Sequence, residues 1–394
     1  MRIGLVTDFY SPWIGGPAAL VQNLSRGLAG RGHDVSVLAP SATGWGGREQ
    51  DGDVEVVRVP TLPVPFGYRV RVSVPLGLTR WLDAFRPDVI HVHHPFPLSA
   101  AAVFAAPRHG IPVAATNHTI PSCSLWGLRG QPVVHVPAAR MLGRWIVHLL
   151  DRCVAVATPT ETAATMLRDM GFHRRVSVIS NGVNTQRFQP GQSPALRQRF
   201  GLDERPVVLY TGRLDAEKDM EVWIRAAAAV GGRVAQYVVG GEGADRPRLE
   251  RLARDLGLDS IRFIGYVEEA LLPDLYRMAD VYFIVAPVEL QSISTLEALA
   301  SGLPVVAVDA GALPELVQDG KNGLLVPAGS VAVAAEALEA LVTDTRRRSS
   351  MGKEARRVAQ SHDVFQMVAA YDGLLRDVAA QPGAGSDRAA AGRR

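Results

Sequence analysis

Short runs of β-branched and apolar residues alternate along this chain with longer stretches in which apolar positions recur every third or fourth residue. Arg2 to Thr7, Asp34 to Leu38, Val89 to Val92, Pro112 to Ala115, Cys153 to Ala157 and Val176 to Ile179 read as strands. Between the first two lies Ala18 to Ala29, where Leu20, Leu24 and Leu28 line one helical face before Gly30 to Gly32 ends it. Such alternation predicts parallel βαβ units. The pattern pauses at Asn181-Gly182-Val183-Asn184 and a polar stretch to Pro194, then restarts: Val207 to Tyr210, Ala235 to Val239, Ile261 to Ile264, Val281 to Val285, Val305 to Val308 and Gly323 to Val326. The expected fold class is α/β: two Rossmann-like domains, residues 1–182 and 195–378, joined by a linker over 183–194 and facing a cleft. The final helix is free to return to the N-terminal domain. In open parallel sheets ligands gather at the carboxyl ends of the strands. Ala379 to Arg394, rich in Ala, Gly and Arg without a period, reads as a disordered tail.

Size and composition narrow the picture. A chain of 394 residues suits two domains better than one, and 47% hydrophobic against 21% charged residues excludes general disorder. Charge divides unevenly. Residues 1–180 carry 17 Arg or Lys against 11 Asp or Glu, the remainder 25 against 28. A basic N-terminal half suits an anionic acceptor or membrane surface, and without a nucleic-acid motif nucleic acid is set aside as a partner. Cys123 and Cys153 have no paired spacing, which argues against a disulfide framework or a zinc–thiolate site. Asp8 interrupts the first apolar run before a signal-peptide core forms, and no stretch reaches the roughly eighteen apolar residues of a membrane span. The expected location is the cytoplasm.

Candidate chemistry concentrates between Tyr210 and Glu297 in four successive features. Gly212-Arg213-Leu214-Asp215-Ala216-Glu217-Lys218 follows a strand, so that Arg213 and Lys218 can meet a diphosphate, or can sit in a solvated loop paired with Glu217. Gly240-Gly241-Glu242-Gly243 is a tight turn that admits a ligand close to the backbone. Glu289 and Glu297 flank Ser292, Ile293, Ser294 and Thr295, a helix start whose free amides suit a distal phosphate. Ser301-Gly302-Leu303-Pro304 then leads into the next strand.

This ordered set resembles the retaining glycosyltransferases of the GT-B fold, specifically glycosyltransferase family 4, over nearly the whole chain. The resemblance implies that Arg213 and Lys218 hold the donor diphosphate, that Glu289 meets the transferred sugar, and that Glu297 meets the ribose hydroxyls. It also makes Gly15-Gly16 the donor-binding glycine loop after the first strand. His118, in Thr116-Asn117-His118-Thr119, becomes the active-site histidine. Leu290-Gln291-Ser292 stands where many members have Phe-Gly or Trp-Gly, a form similar to the diacylglycerol glycosyltransferase branch. The implied activity is transfer of a hexose, glucose, mannose or similar, from a UDP- or GDP-sugar to a hydroxyl acceptor, with retention and without a metal or other cofactor. A lipid-linked acceptor would place the protein on the inner face of the plasma membrane. The same chemistry on an inositol phosphate or a natural product, and sugar-nucleotide epimerisation, are the alternatives.

Other signals weigh less. Asp51-Gly52-Asp53 has a metal-binding form but reads as a polar turn before Val54 to Val59, and His91, His93 and His94 read as packing or strand-end residues. No Gly-x-Ser-x-Gly elbow, P-loop or HExxH occurs. Arg58 to Arg152 holds ten arginines against three aspartates, together with Trp81, Trp126 and Trp145. Within it Met141, Leu142, Trp145, Ile146 and Leu149 recur at helical spacing over Ala138 to Leu150, with Arg140, Arg144 and His148 around them. That helix can lie in a membrane interface or simply pack on a core.

Overall fold

The computed structural model describes residues 1–11, 16–63, 71–121 and 132–381, with backbone alone at 17 and 132–134. Gly15, Cys123, Trp126 and positions 382–394 of the expected tail lie outside the described residues. The chain forms two compact units: Met1–Ser180 together with the chain from Phe365 onward, and Asn181–Val364.

The first unit contains β1 (Arg2–Val6), β2 (Asp34–Pro40), β3 (Gly47–Asp51), β4 (Val54–Val59), β5 (Thr61–Pro63), β6 (Arg71–Ser73), β7 (Val89–Val92), β8 (Val113–Thr116), β9 (Ala155–Thr158) and β10 (Val176–Val178). Eight of these form one sheet in the order β10-β9-β8-β7-β1-β2-β4-β3, parallel except at β3–β4. Its described helices are α1 (Gly16–Gly30), α2 (Leu78–Phe85), α3 (Pro97–Ala105), α4 (Pro132–Leu150) and α5 (Glu161–Asp169). Leu20, Leu24 and Leu28 of α1 are buried, as their fourfold spacing requires.

One sequence reading is extended and one changes here. Asp51 closes β3, an exposed edge strand whose polar residues carry no apolar alternation, and Gly52 and Asp53 form the expected polar turn into β4. The stripe on α4 splits in two: Ile146 and Leu149 are buried, whereas Met141 is 71% and Trp145 38% exposed, on the side that carries Arg140, Arg144 and His148. Trp145 Nε1 donates to the Pro95 carbonyl at 2.9 Å. Trp81 belongs to the core and donates to Ser36 Oγ at 2.9 Å.

The second unit contains β11 (Val207–Thr211), β12 (Gln236–Gly240), β13 (Ile261–Gly265), β14 (Val281–Ile284), β15 (Val305–Val308) and β16 (Gly323–Val326). They form a wholly parallel sheet in the order β13-β12-β11-β14-β15-β16. Helices α6 (Pro194–Arg199), α7 (Met220–Val230), α8 (Arg246–Asp255), α9 (Leu272–Arg277), α10 (Ile293–Ala300), α11 (Val331–Thr343) and α12 (Thr345–Ser361) accompany it. Most of its strand residues are buried, which is why they read as unbroken apolar runs. The sequence order reverses between β11 and β14. At such a switch point the loops beyond two neighbouring strands diverge and leave a crevice at their carboxyl ends. The stretch 183–190 packs within this unit, where Arg356 donates to the Thr185 and Phe188 carbonyls at 2.7 Å.

The last helix, α13 (Val364–Ala379), lies almost wholly in the first unit. Its Asp372 accepts from Arg31 at 2.9 Å and Arg376 at 2.7 Å and pairs with His33 at 2.9 Å. Val368 packs against Gly27, where a Cβ would come within 2.4 Å of it.

Candidate active site

The second unit gathers most of the expected residues at its switch point. The loop after β11 carries Arg213 and Lys218; the loop after β14 carries Glu289. Because β11 and β14 are neighbours, Lys218 Nζ and Glu289 Oε1 lie 2.6 Å apart, their side chains 16% and 15% exposed. Arg213 is held differently. Its guanidinium pairs with Asp215 and Glu217 and is 64% exposed, so the Glu217 ion pair weighed from sequence exists and Asp215 adds to it.

Gly241 adopts φ +137°, and a Cβ there would lie 1.8 Å from the Gly212 carbonyl oxygen. A side chain is thus excluded by the neighbouring loop's own backbone. Gly243 meets Leu214 in the same way, and Leu214 N donates to the Glu242 carbonyl at 2.9 Å. These contacts fasten the β12 loop to the loop bearing Arg213.

Ser292 caps α10: its Oγ accepts from Thr295 N at 3.2 Å and Thr295 Oγ1 at 2.8 Å. Such a cap fixes the helix start and leaves other first-turn amides for a ligand. Ser294 Oγ accepts from Tyr282 Oη at 2.8 Å. Gln291 Oε1 accepts from Asn181 N at 2.6 Å, which anchors the stretch between Glu289 and the helix. One turn into α10, Glu297 Oε2 accepts from Tyr276 Oη at 2.8 Å, and removal of its carboxyl from water pushes the pKa up to about 7. Tyr276 and Tyr282 were not among the sequence candidates. The available signal was a pair of tyrosines in apolar runs, since a buried phenol needs a partner.

The first unit offers other chemistry at its own carboxyl edge. His118 follows β8, and its Nε2 lies 3.5 Å from Nδ1 of His93, which follows β7, with the rings nearly parallel. His91 in β7 and His93 just beyond it have ring centroids 4.1 Å apart. His91 Nε2 meets Thr116 Oγ1 at 2.7 Å and His94 Nδ1 meets Thr7 Oγ1 at 3.3 Å. Burial holds His118 down to about 4, His91 to about 3, and His93 and His94 well below their ordinary value, so all four are neutral at pH 7. Asp8, after β1, accepts from Ser73 Oγ, Ser99 Oγ and the Leu98 and Ser99 amides, which ties β6 and the start of α3 to β1. Gly16 opens α1. Asp51 is fully engaged, accepting from Tyr10 Oη at 2.8 Å, Gln22 at 2.9 Å and Arg26 at 2.9 Å. Among the described residues no group of three or more His, Cys, Asp or Glu is arranged to hold a metal ion.

Comparison with known proteins agrees across the chain. The model of glycosyltransferase family 4 matches residues 14–187, and that of glycosyl transferases group 1 matches residues 192–358. A GDP-mannose-dependent alpha-mannosyltransferase of Corynebacterium glutamicum is 30% identical over 89% of this chain and 83% of its own. A D-inositol 3-phosphate glycosyltransferase of Kribbella flavida is 35% identical over 69% of this chain and 67% of its own. Sucrose-phosphate synthase of Thermosynechococcus elongatus shares the fold, with a TM-score of 0.82 over 96% of this chain and 98% of its own at 20% identity. With both halves matched in order, the chain belongs to glycosyltransferase family 4, whose GT-B enzymes move a sugar from a nucleoside-diphosphate donor with retention of configuration.

Proposed function

We propose that this enzyme transfers a hexose from a UDP- or GDP-sugar to a lipid-linked hydroxyl, with the donor held at the switch point of the second unit. Lys218 and Arg213 meet the diphosphate, together with the start of α10, where Ser292 and Thr295 form the cap and the Ile293 and Ser294 amides face the ligand. Glu289 faces the transferred sugar, Glu297 the ribose, and Gly241 keeps the neighbouring loop close. His118, with Gly15 and Gly16, serves the sugar and the incoming hydroxyl.

The observation that carries this reading is the 2.6 Å pairing of Lys218 with Glu289. In the reaction the bond from the sugar's anomeric carbon to the diphosphate breaks and one to the acceptor oxygen forms, while the acceptor's proton passes to the departing phosphate. Negative charge grows on the diphosphate and positive charge on the sugar. A cation and a carboxylate already fixed side by side match both charges without reorganising. The relative named for GDP-mannose makes that donor the first to try.

For the acceptor, support comes from the outer side of α4, where Arg140, Met141, Arg144 and Trp145 form an exposed basic and apolar stripe. No helix among the described residues is long and apolar enough to cross a membrane. The K. flavida relative supports a second reading, a soluble inositol phosphate acceptor. A donor panel followed by nucleoside-diphosphate release, with lipid extract or inositol phosphate, tests both. Liposome co-sedimentation should show binding to anionic vesicles at low salt and loss at high salt. Equal, negligible binding to neutral and anionic vesicles rejects the lipid surface.

A further inference from the structure

The hydroxyl of Tyr276 in α9 touches three groups of the second unit. Thr211 Oγ1, at the end of β11, lies 2.7 Å away; Glu297 Oε2 lies at 2.8 Å; the Ser294 carbonyl, in the first turn of α10, lies at 3.2 Å. A phenol has one proton to give and two lone pairs. It can therefore donate to Glu297 or to Ser294, but not fully to both. With Glu297 ionised, Tyr276 donates to the carboxylate while Thr211 donates to Tyr276. With Glu297 protonated, the carboxyl donates to Tyr276 and the phenol proton turns to Ser294. Neither state strands a buried polar atom, which would be costly here.

We propose that Tyr276 is a positioning residue of the donor site: its hydroxyl follows the proton on Glu297, holds that carboxyl and the start of α10 in place in both charge states, and turns to Glu297 when a nucleotide's ribose engages it. This rests on the assignment of Glu297 to the ribose made above. Ribose hydroxyls are donors, and an ionised carboxylate accepts both of them, so nucleotide binding favours the ionised form and sends the proton to solvent.

The surroundings of Glu297 leave the tyrosine as its close partner. Arg187 and Glu269 act on it in opposite directions and are paired with one another. Tyr282 is committed to Ser294 Oγ and the Thr211 carbonyl. Arg356 of α12 donates to the Ala300 carbonyl at the far end of α10. Burial raises the Glu297 carboxyl and the bond from Tyr276 lowers it, so the phenol's removal must raise it further.

The test uses the full chain with ¹³C-labelled glutamate, titrated from about pH 5 to 9, with Glu297→Gln identifying the Glu297 signal. Tyr276→Phe should move its midpoint up by about one unit. Affinity for UDP or GDP in that variant should fall about fivefold near pH 7 and less than about twofold at pH 9, where the carboxyl is ionised in wild type and variant alike. A merely structural tyrosine would weaken binding equally at every pH. If Tyr276→Phe does not fold, Thr211→Val should move the midpoint in the same direction by less, since it removes the bond that polarises the phenol. An unchanged midpoint in the folded variant overturns the proposal, whatever the nucleotide does. A shifted midpoint with nucleotide binding indifferent to Glu297→Gln supports the tyrosine–carboxyl coupling and rejects the ribose assignment.

Discussion

At the carboxyl edge of the first sheet stand His93, His94 and His118, packed ring against ring and held neutral by burial. At the same edge of the second sheet stand Arg213, Lys218 and Glu289, each in an ion pair. One supersecondary pattern has thus produced two unlike surfaces. The first offers hydrogen bonds with little field; the second offers a field already oriented. On the proposed reading, a reaction whose charge grows mainly on a leaving diphosphate needs the field at the second edge and gains nothing from a second set of charges around a neutral hydroxyl. The two edges differ in charge rather than in fold, and the proposed division of labour between the units rests on that difference.

The sharpest way to break that contrast is to empty the charged edge. If the proposed assignment holds, Lys218→Ala should lower kcat/KM on the order of 100-fold, because Glu289 is left without its partner and the diphosphate without a shielded cation. Arg213→Ala, already engaged by two carboxylates and open to solvent, should cost about tenfold. Steady-state rates decide it: both variants folded and near wild-type turnover would separate this edge from the leaving group. Glu289→Gln should act on kcat and Glu297→Gln on the donor's KM, since the proposed reading sets one at the reacting sugar and the other at an unreacting ribose.

Acid should distinguish the units next. Four histidines of the first unit, His91, His93, His94 and His118, are lowered from an ordinary value of 6.5, so an unfolded chain takes up protons that the folded one refuses, and their stability is lost as pH falls from 6.5 towards 4. Asp8, raised by burial, works in the opposite sense. Glu297 is raised from 4.5 to about 7, so its contribution is complete below 4.5 and is lost as pH rises to 7. Hydrogen exchange followed unit by unit should show the first unit opening before the second between about pH 6 and 4. Glu297→Gln should raise Tm by about 2–4 °C at pH 8 and leave it unchanged near pH 4. Equal acid sensitivity in both units would remove this part of the contrast.

The smallest expected effect is none. EDTA should leave transfer intact, because the Asp51 carboxylate is occupied by Arg26, Gln22 and Tyr10. Loss with EDTA and rescue by Mn²⁺ or Mg²⁺ would return Asp51 and Asp53 to the site.

Legibility in the sequence followed burial and locality. Val207 to Thr211 and Val305 to Val308 stand out because their strands are buried. Gly47 to Asp51 does not, because an exposed edge strand has no apolar face to display. Arg213, Lys218 and the two glutamates form a local order that can be read directly, but the Lys218–Glu289 bond depends on β14 lying beside β11, and strand order is not written in any one segment. Gly241 reads from sequence as a turn open to a ligand, and the close packing of its missing side chain's place against Gly212, two loops apart in the chain, is not legible there. Met141 and Trp145 fit the same helical spacing as Ile146 and Leu149, and a broad stripe does not say which part faces the core.

The return of α13 to the first unit bears on the order in which the protein is made. The second unit is continuous from Asn181 to Val364 and has all its residues before the last helix is synthesised. Arg31 and His33, made early, have Asp372 as a partner, and from Arg31 to Asp372 the chain runs 341 residues. A chain usually folds from its N-terminal domain onward as it grows. Here the unit that is begun first is completed last, so a break shortly after Asp363 would be felt in the oldest part of the molecule while the younger part keeps every residue of its sheet.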